Sequence, residues 1–333
     1  MINDLKAIMN VPGAPSREAL IADKLSEMIK PYVDEVNKDP LGNVIAVKHG
    51  KAKEKQKIMF CAHMDEIGFI VTYIQDNGLV RVTSAGYIDY IAASNCRVRF
   101  ENGTVGVLCP EEKTEPKDLK ADKFYIDLGV KTKKEAERRV KIGMTGAVVP
   151  SCVKLAGKRY AGRPFDDRVG CYILVEAAKK VKAPANDIYF VFSVQEEVGC
   201  RGSRTASFNV RPDIGIAVDV TPSGDVVGAG TNLCVKLGDG AAIKVKDSSV
   251  MCDQKLVASL YELAKKKNIP YQTEVLTYGG TDASSMQTVA GGSRAGGISI
   301  PIRFCHTPNE IIDMTDVEAC VDLIAAVCEE KEI

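Results

Sequence analysis

The residues of this chain that could do chemistry are two histidines and a small set of carboxylates. The 333 residues include three histidines. His63 opens a His-Met-Asp-Glu motif after an apolar run, and His306 opens His-Thr-Pro-Asn-Glu after another. The carboxylates that follow apolar stretches are Asp65, Asp166, Glu196, Glu197 and Asp219. Imidazoles and carboxylates are the ligands of paired divalent cations, which activate water for hydrolysis.

A two-metal site needs one bridging carboxylate, with a nitrogen and an oxygen ligand at each cation. The chain supplies such a set in His63, Asp166, Glu197, Asp219 and His306. Glu196 is left over, and a carboxylate that binds no metal can act as general base, taking a proton from water and passing it to the leaving group. Asp65 lies two residues from His63 and is expected to accept the free ring N–H of that imidazole.

Each motif also has an ordinary structural explanation. A histidine after a strand is commonly packed or exposed, a Glu-Glu pair commonly lies on a solvated face, and Asp-Asp before a helix commonly caps it. His49, within Lys-His-Gly-Lys, is expected to lie on the surface. The segment 279–282 is expected to form a loop before a helix, where Gly280, Thr281 and Asp282 could contact a substrate. The metal-site prediction therefore rests on the combination of motifs.

Composition indicates a globular enzyme without nucleic-acid or membrane partners. Its 44 Lys and Arg residues equal its 44 Asp and Glu residues, which excludes a strongly basic surface. No apolar run approaches the roughly 20 residues of a membrane span. The eleven cysteines are odd in number, lie among apolar neighbours and form no CxxC pair. Together with an N-terminus that lacks a signal-peptide pattern, they predict reduced thiols and a cytoplasmic location.

Alternating helices and strands are predicted to position the site. Such alternation predicts an α/β fold, a sheet sandwiched by helices, and open sheets of this kind place ligand sites at the carboxyl ends of their strands. A capping box of Thr315 and Glu318 is predicted to begin the last helix. The predicted helices are 3–30 (closed by Pro31), 167–181, 253–267 and 315–329, and the predicted strands are 43–48, 57–62, 188–194, 214–218 and 298–302.

A segment with a different sequence pattern interrupts this alternation of helices and strands. Short alternating strands, separated by Asn-Gly turns at 77–78 and 102–103, are followed by a Lys- and Glu-rich stretch at 111–141. The segment predicts a small β-rich module inserted into a larger domain. We therefore expect a catalytic domain of residues 1–67 and 162–333 and an inserted domain of residues 68–161.

Six motifs, in this order, resemble the M42 family of metallo-aminopeptidases, and they span nearly the whole chain. They are 62–68 (AHMDEIG), 165–168 (FDDR), 194–199 (VQEEVG), 217–221 (AVDVT), 279–283 (GGTDA) and 306–310 (HTPNE). The chain departs from the family pattern at Gly291–Gly297, a glycine-rich stretch that contains Arg294. This departure bears on substrate preference rather than on metal binding.

The resemblance implies a zinc-peptidase-like catalytic domain that holds two divalent cations per subunit. His63 and Asp219 would hold one cation, and Glu197 and His306 the other. Asp166 would bridge them, with Glu196 as general base and Asp65 as partner of His63. Zinc, cobalt and manganese all accept such nitrogen and oxygen ligands. The resemblance further implies that the insert is a PDZ-like dimerisation domain and that dimers assemble into a hollow tetrahedral dodecamer that admits peptides.

The favoured function is an aminopeptidase that removes N-terminal residues from short peptides. A glycoside hydrolase is the first alternative, since paired carboxylates suit that chemistry and some relatives carry endoglucanase labels. The absence of tryptophan and a 6% aromatic content argue against sugar-binding subsites. A related two-metal amidohydrolase or carboxypeptidase is a second alternative, and a non-catalytic metal-dependent scaffold is a third.

Overall fold

A computed structural model of the chain describes residues 2–229 and 233–333. In these residues an 11-stranded mixed sheet and a closed six-stranded barrel contain the named strands. The helices are α1 Ile2–Met9, α2 Ala19–Ile29, α3 Tyr90–Ala93, α4 Lys133–Glu137, α5 Arg168–Lys180, α6 Arg201–Val210, α7 Gln254–Lys266, α8 Ala283–Thr288 and α9 Met314–Glu329. None of these described helices is long and apolar enough to cross a membrane.

Seventeen strands lie in the described ranges. Those of the barrel are β4 Gly68–Ile74, β5 Val80–Ala85, β6 Arg97–Phe100, β7 Val105–Pro110, β8 Phe124–Asp127 and β9 Thr145–Val148. Those of the large sheet are β1 Glu35–Lys38, β2 Val44–Lys48, β3 Lys57–His63, β10 Ser151–Lys154, β11 Arg159–Arg163, β12 Asp187–Ser193, β13 Ile214–Pro222, β14 Ala241–Lys246, β15 Tyr271–Val275, β16 Arg294–Arg303 and β17 Glu310–Asp313.

The centre of the large sheet consists of parallel strands in the order β12, β3, β13, β16. Both of its faces are covered, which is why β3 is almost wholly apolar. Along β3, Ile58 and Phe60 belong to the buried cluster that includes residues of α1, α2, α5, α7 and α9, whereas Met59 and Cys61 belong to the cluster that includes residues of α6 and α8. The predicted α/β fold, a mixed sheet between layers of helices, is confirmed.

The barrel is inserted between β3 and β10, and its core is built on Phe69, Phe100 and Phe124. Its strands end at Val148. Strands β10 and β11 instead pair with each other, and β11 pairs with β17 in the large sheet. The expected domain boundary at 161–162 thus falls inside β11. Pairing with a strand so distant in the chain satisfies the backbone groups of β11, and local sequence does not reveal it.

Two local predictions were wrong. The helix expected over 3–30 is two helices, because Pro12 and Pro15 lie between α1 and α2 and proline cannot donate the backbone bonds of a continuous helix. The capping box at Thr315 and Glu318 is absent from the described start of α9. Asp313 caps that helix by accepting the Thr315 amide at 2.9 Å, and the preceding β17 fixes Asp313 in the capping position.

The sheet brings the candidate site residues to one edge. Strand β3 ends at His63, and the chain leaves β12 just before Glu196 and Glu197. Asp219 lies near the end of β13, and β16 leads directly into the turn that carries His306. Because these central strands are parallel, their carboxyl ends meet at a shared crevice.

Candidate active site

Asp166 lies between the two imidazoles. Its Oδ1 is 3.0 Å from Nε2 of His63, and its Oδ2 is 3.0 Å from Nε2 of His306. Asp219 Oδ1 lies 3.8 Å from the His63 nitrogen, whereas Glu197 Oε2 lies 3.5 Å from the His306 nitrogen. The five predicted ligands are therefore gathered into two groups that share one carboxylate. The peptide bond between Asp166 and Asp167 is cis.

This cluster is buried and rich in negative charge. Burial raises the pKa of Glu197 well above its usual range, and the nearby Asp166 carboxylate raises it further. Burial raises the pKa of Asp219 to about 7. Burial disfavours the imidazolium form of His63, yet hydrogen bonding to Asp166 and Asp65 raises its pKa overall. Hydrogen bonds from both imidazoles outweigh burial at Asp166 and hold its pKa well below the usual range.

The cluster fits divalent cations. In the part of the chain that the structure describes, no lysine or arginine forms a salt bridge with these carboxylates. Glu197 also keeps a buried oxygen, Oε1, without a hydrogen-bond partner there. One potential ligand atom each from His63, Asp166 and Glu197 lies within 4.8 Å of the others. Positive charge supplied by bound cations would balance these groups.

Glu196 lies beside the cluster rather than within its closest contacts. Its Oε2 is 4.0 Å from His63 Nε2. The thiol of Cys200 donates to its other oxygen, Oε1, at 3.2 Å. Burial raises the pKa of Glu196 well above its usual range.

Asp65 holds the site in two ways. Its carboxylate oxygens accept the backbone amides of Glu196 at 3.0 Å and Glu197 at 3.2 Å. Nδ1 of His63 is 3.5 Å from Asp65 Oδ1 but only 3.1 Å from its carbonyl oxygen. Asp65 therefore orients the imidazole and also anchors the loop that carries both glutamates.

Two further carboxylates, which sequence analysis did not assign to the metal site, support it. Glu310 accepts the amides of Phe165 at 2.7 Å and Asp166 at 3.3 Å. Asp167 accepts the His63 amide at 3.2 Å through one oxygen and caps α5 at Gly170 through the other. The signal for Glu310 was present at the end of the 306–310 motif. For Asp167, the capping explanation and a site role are both correct.

A cavity of about 580 Å³ opens onto the cluster. Gly280 and Thr281 line it, as expected for substrate contacts, but Asp282 does not. Asp282 is buried behind the cavity, where it accepts the Ser193 hydroxyl at 2.6 Å and the Cys61 thiol at 3.2 Å. Its neighbours in the sheet thus hold this carboxylate away from the cavity.

Other cavity residues were missed at the sequence level. Tyr87 comes from the barrel, and its ring centroid lies 5.8 Å from that of His306. Phe304 and Tyr278 add exposed aromatic surface near the opening. Lys244 interrupts the buried strand β14, and a lysine within an apolar strand was the available signal. No local pattern marks Tyr87, because its role depends on how the barrel packs.

Two residues lie away from the cavity. His49 is partly exposed and pairs with Glu35 at 3.0 Å, in agreement with its expected surface position. Arg294 lies at the beginning of β16, where it contacts Asp253 at 3.1 Å and the carbonyl of Ile333 at 2.7 Å. Arg294 and the residues before it are thus at the end of β16 opposite to His306, whereas Gly297 lies within the strand.

Comparison with known proteins identifies the family of the chain. The M42 glutamyl aminopeptidase family matches residues 42–323. An Acetivibrio thermocellus protein is 46% identical over 330 residues, 98% of each chain. A lysyl aminopeptidase from Pyrococcus furiosus is 38% identical over 98% of this chain and 96% of its own. The TET1 peptidase of Pyrococcus horikoshii, which can form a tetrahedron or a large octahedral shell, has a TM-score of 0.88 at 30% identity over 99% of both chains. The chain is therefore a peptide hydrolase of the aminopeptidase class and belongs to the M42 glutamyl aminopeptidase family.

Proposed function

We propose that this enzyme removes N-terminal residues from short peptides at a site for two divalent cations. The observation that carries the proposal is Asp166, whose two oxygens each lie 3.0 Å from a different imidazole nitrogen. In this proposal His63 and Asp219 hold one cation, and His306 and Glu197 hold the other. Zinc or cobalt, with manganese as a further candidate, suits these nitrogen and oxygen ligands.

The protein residues perform the proton transfers. When bound, two cations polarise the scissile carbonyl and lower the pKa of water. Glu196 accepts the proton of the attacking water and delivers it to the leaving amine. Asp65 keeps Glu196 in place through its backbone amide. Thr281 and Gly280 line the cavity and are proposed to contact the peptide.

Glu196→Gln tests the general base. The variant removes the proton acceptor but leaves all five proposed ligands, so we expect turnover of leucine p-nitroanilide to fall by at least about 10³-fold with metal content per subunit unchanged. The content is measured by plasma mass spectrometry on protein dialysed against limiting metal. Retained activity would show that Glu196 is not the general base.

Comparing a leucyl peptide with its N-acetylated form separates the aminopeptidase from the rival hydrolases. An aminopeptidase binds the free amine of its substrate, so N-acetyl-leucyl peptides are expected to resist cleavage. Cleavage of the acetylated peptide at a comparable rate would favour an amidohydrolase or a carboxypeptidase. Hydrolysis of a β-glucan that survives full chelation would favour a glycoside hydrolase.

The proposal includes assembly into dimers through the inserted domain, assigned to residues 68–161. Several apolar side chains are exposed in that stretch, and a second copy could cover them. They are Val105, Val107 and Ile142. Six dimers, one along each edge of a tetrahedron, would give a dodecamer. The structural similarity to the TET1 peptidase, which can form a tetrahedron, supports such an assembly. Light scattering coupled to size exclusion measures the mass.

A cytoplasmic location is also proposed. All eleven cysteines are free in the structure, and burial raises the pKa of several, including Cys61 and Cys171. Unpaired buried thiols are typical of proteins that work in a reducing compartment.

A further inference from the structure

A buried group of charges lies at the wall of the cavity, outside the proposed ligand set. Lys244 lines the cavity, although its side chain is only 1% exposed. Its ammonium group contacts Oε1 of Glu274 directly and lies 3.4 Å from Oδ2 of Asp247. We call these three residues the lysine cluster.

The strands fix the lysine cluster. Lys244 on β14 lies opposite Glu274 on β15 and opposite Gly297 on β16. A Cβ atom at Gly297 would lie 3.1 Å from both Cβ and Cδ of Lys244, so this glycine leaves room for the lysine side chain. The hydroxyl of Thr221 donates to Glu274 at 2.9 Å. The position of the ammonium group is therefore set by sheet geometry.

Asp247 is fixed as firmly as Glu274. Its Oδ1 accepts the backbone amides of Ser249 at 2.7 Å and Val250 at 2.9 Å. Among the described residues, Oδ2 of Asp247 and Oε2 of Glu274 are buried and have no hydrogen-bond partner. Two carboxylates thus face one ammonium group.

The charge of Lys244 is consequently compensated inside the protein. Burial disfavours the ammonium form, but attraction to Glu274 and Asp247 outweighs burial and raises the pKa of Lys244. Much of the remaining wall is apolar: it includes Val220, Pro222, Val226, Leu233, Leu276, Ile302 and Phe304. An acidic side chain that entered would lose hydration without gaining a free cation.

We propose that the lysine cluster makes this cavity select against acidic N-terminal side chains by neutralising the one lysine that reaches its wall among the described residues. The inference rests on the proposed aminopeptidase function. It assigns Lys244, Glu274 and Asp247 to specificity rather than to catalysis.

A panel of aminoacyl p-nitroanilides on the metal-reconstituted enzyme tests this inference. We expect kcat/KM for leucyl and methionyl substrates to exceed that for glutamyl substrates by at least about tenfold. Glu274→Gln removes one compensating charge and keeps an oxygen for Thr221. This variant is expected to raise the glutamyl-to-leucyl ratio of kcat/KM by about tenfold. Glu262→Gln, the same change on the exposed face of α7, should leave the ratio unchanged.

Each outcome decides the matter. A wild-type enzyme that prefers glutamyl over leucyl substrates overturns the inference, as does an unchanged ratio in folded Glu274→Gln. If Glu274→Gln does not fold, Asp247→Asn provides the same test with a smaller expected rise, because Asp247 is farther from the ammonium group. If neither folds, the wild-type panel decides. A wild-type enzyme that cleaves no aminoacyl substrate refutes the proposed function instead.

Discussion

The two site histidines differ in their surroundings although both contact Asp166. The side chain of His63 is 2% exposed and that of His306 is 26% exposed. His63 ends a central strand, whereas His306 lies in a turn with a positive φ of 63°. Loss of either imidazole should cost metal, but the loss of His63 should also disturb the packing of the sheet.

We expect His63→Asn and His306→Asn each to reduce metal content from about two to about one ion per subunit. The His63 variant should also unfold at a lower temperature than the His306 variant, both compared after chelation. His49→Asn is the matched control and should keep full metal content and activity. Metal analysis and calorimetry provide the two readouts, and a fully metal-loaded His306→Asn protein would contradict the proposed ligand set.

Sequence reasoning could find the site residues because strand ends mark them. His63, Glu197 and Asp219 each follow an apolar run, and parallel strands bring such ends together. It could not decide the direction in which a side chain points, so Asp282 was expected to face substrate but bonds to Ser193 instead. Contacts made across distant parts of the chain, such as that of Tyr87 with His306, leave no local pattern.

Helix α5 connects the sheet to the site through its first turn. Asp167 caps the helix at Gly170 and also holds the His63 amide. A Cβ atom at Gly170 would lie 2.4 Å from both carboxylate oxygens of Asp167. The glycine is therefore required by the cap, and the cap positions a proposed ligand.

Gly170→Ala should displace the Asp167 carboxylate and lower the free energy of unfolding by about 1–3 kcal/mol. Activity should fall as well, because His63 loses a backbone contact. Gly291→Ala is the control, since nothing lies within 4 Å of its added Cβ. Urea titration and steady-state kinetics measure the two effects. Equal stability of the two variants would show that the cap tolerates the methyl group.

At the level of elements, the sequence predicted the long buried strands and the helices that cover them. Strand β3 and helix α7 lie within a residue of their expected bounds, because an apolar run and an Asp253 cap mark them clearly. Strands β14 and β15 were not predicted. Lys244 interrupts the apolar pattern of β14, and β15 is mostly polar. The pairing of Lys244 with Glu274 becomes evident only when the strands are side by side.

The stability of the whole molecule should respond to the buried carboxyl group of Glu18. Burial, and then the nearby Asp65, raise the pKa of Glu18 from 4.5 to about 7. A carboxyl group with a raised pKa in the folded state holds its proton more tightly there than in the unfolded chain. Its contribution to stability is complete below pH 4.5 and is lost as the pH rises through about 7.

Glu18→Gln should therefore flatten the fall in unfolding free energy between pH 4.5 and about 7. Glutamine keeps an oxygen for the amides of Ser16 and Gln195, which bond to Glu18 at 2.9 Å and 3.1 Å. Glu27→Gln, exposed on α2, is the control. Urea midpoints at several pH values, measured in chelator, give the comparison. A variant profile parallel to that of the wild type would contradict the prediction.

Arg163 ties the junction of the barrel to the active site. This buried arginine donates to the carbonyl of Ile67 at 3.1 Å and to that of Thr307 at 3.3 Å, and it lies 3.6 Å from Glu310. The same guanidinium thus contacts the entrance to the barrel and the turn that carries His306. If subunits associate through the barrel, association and substrate binding share these atoms. Thermodynamic linkage is reciprocal, so an assembly that favours substrate binding is itself favoured by substrate, to the same factor.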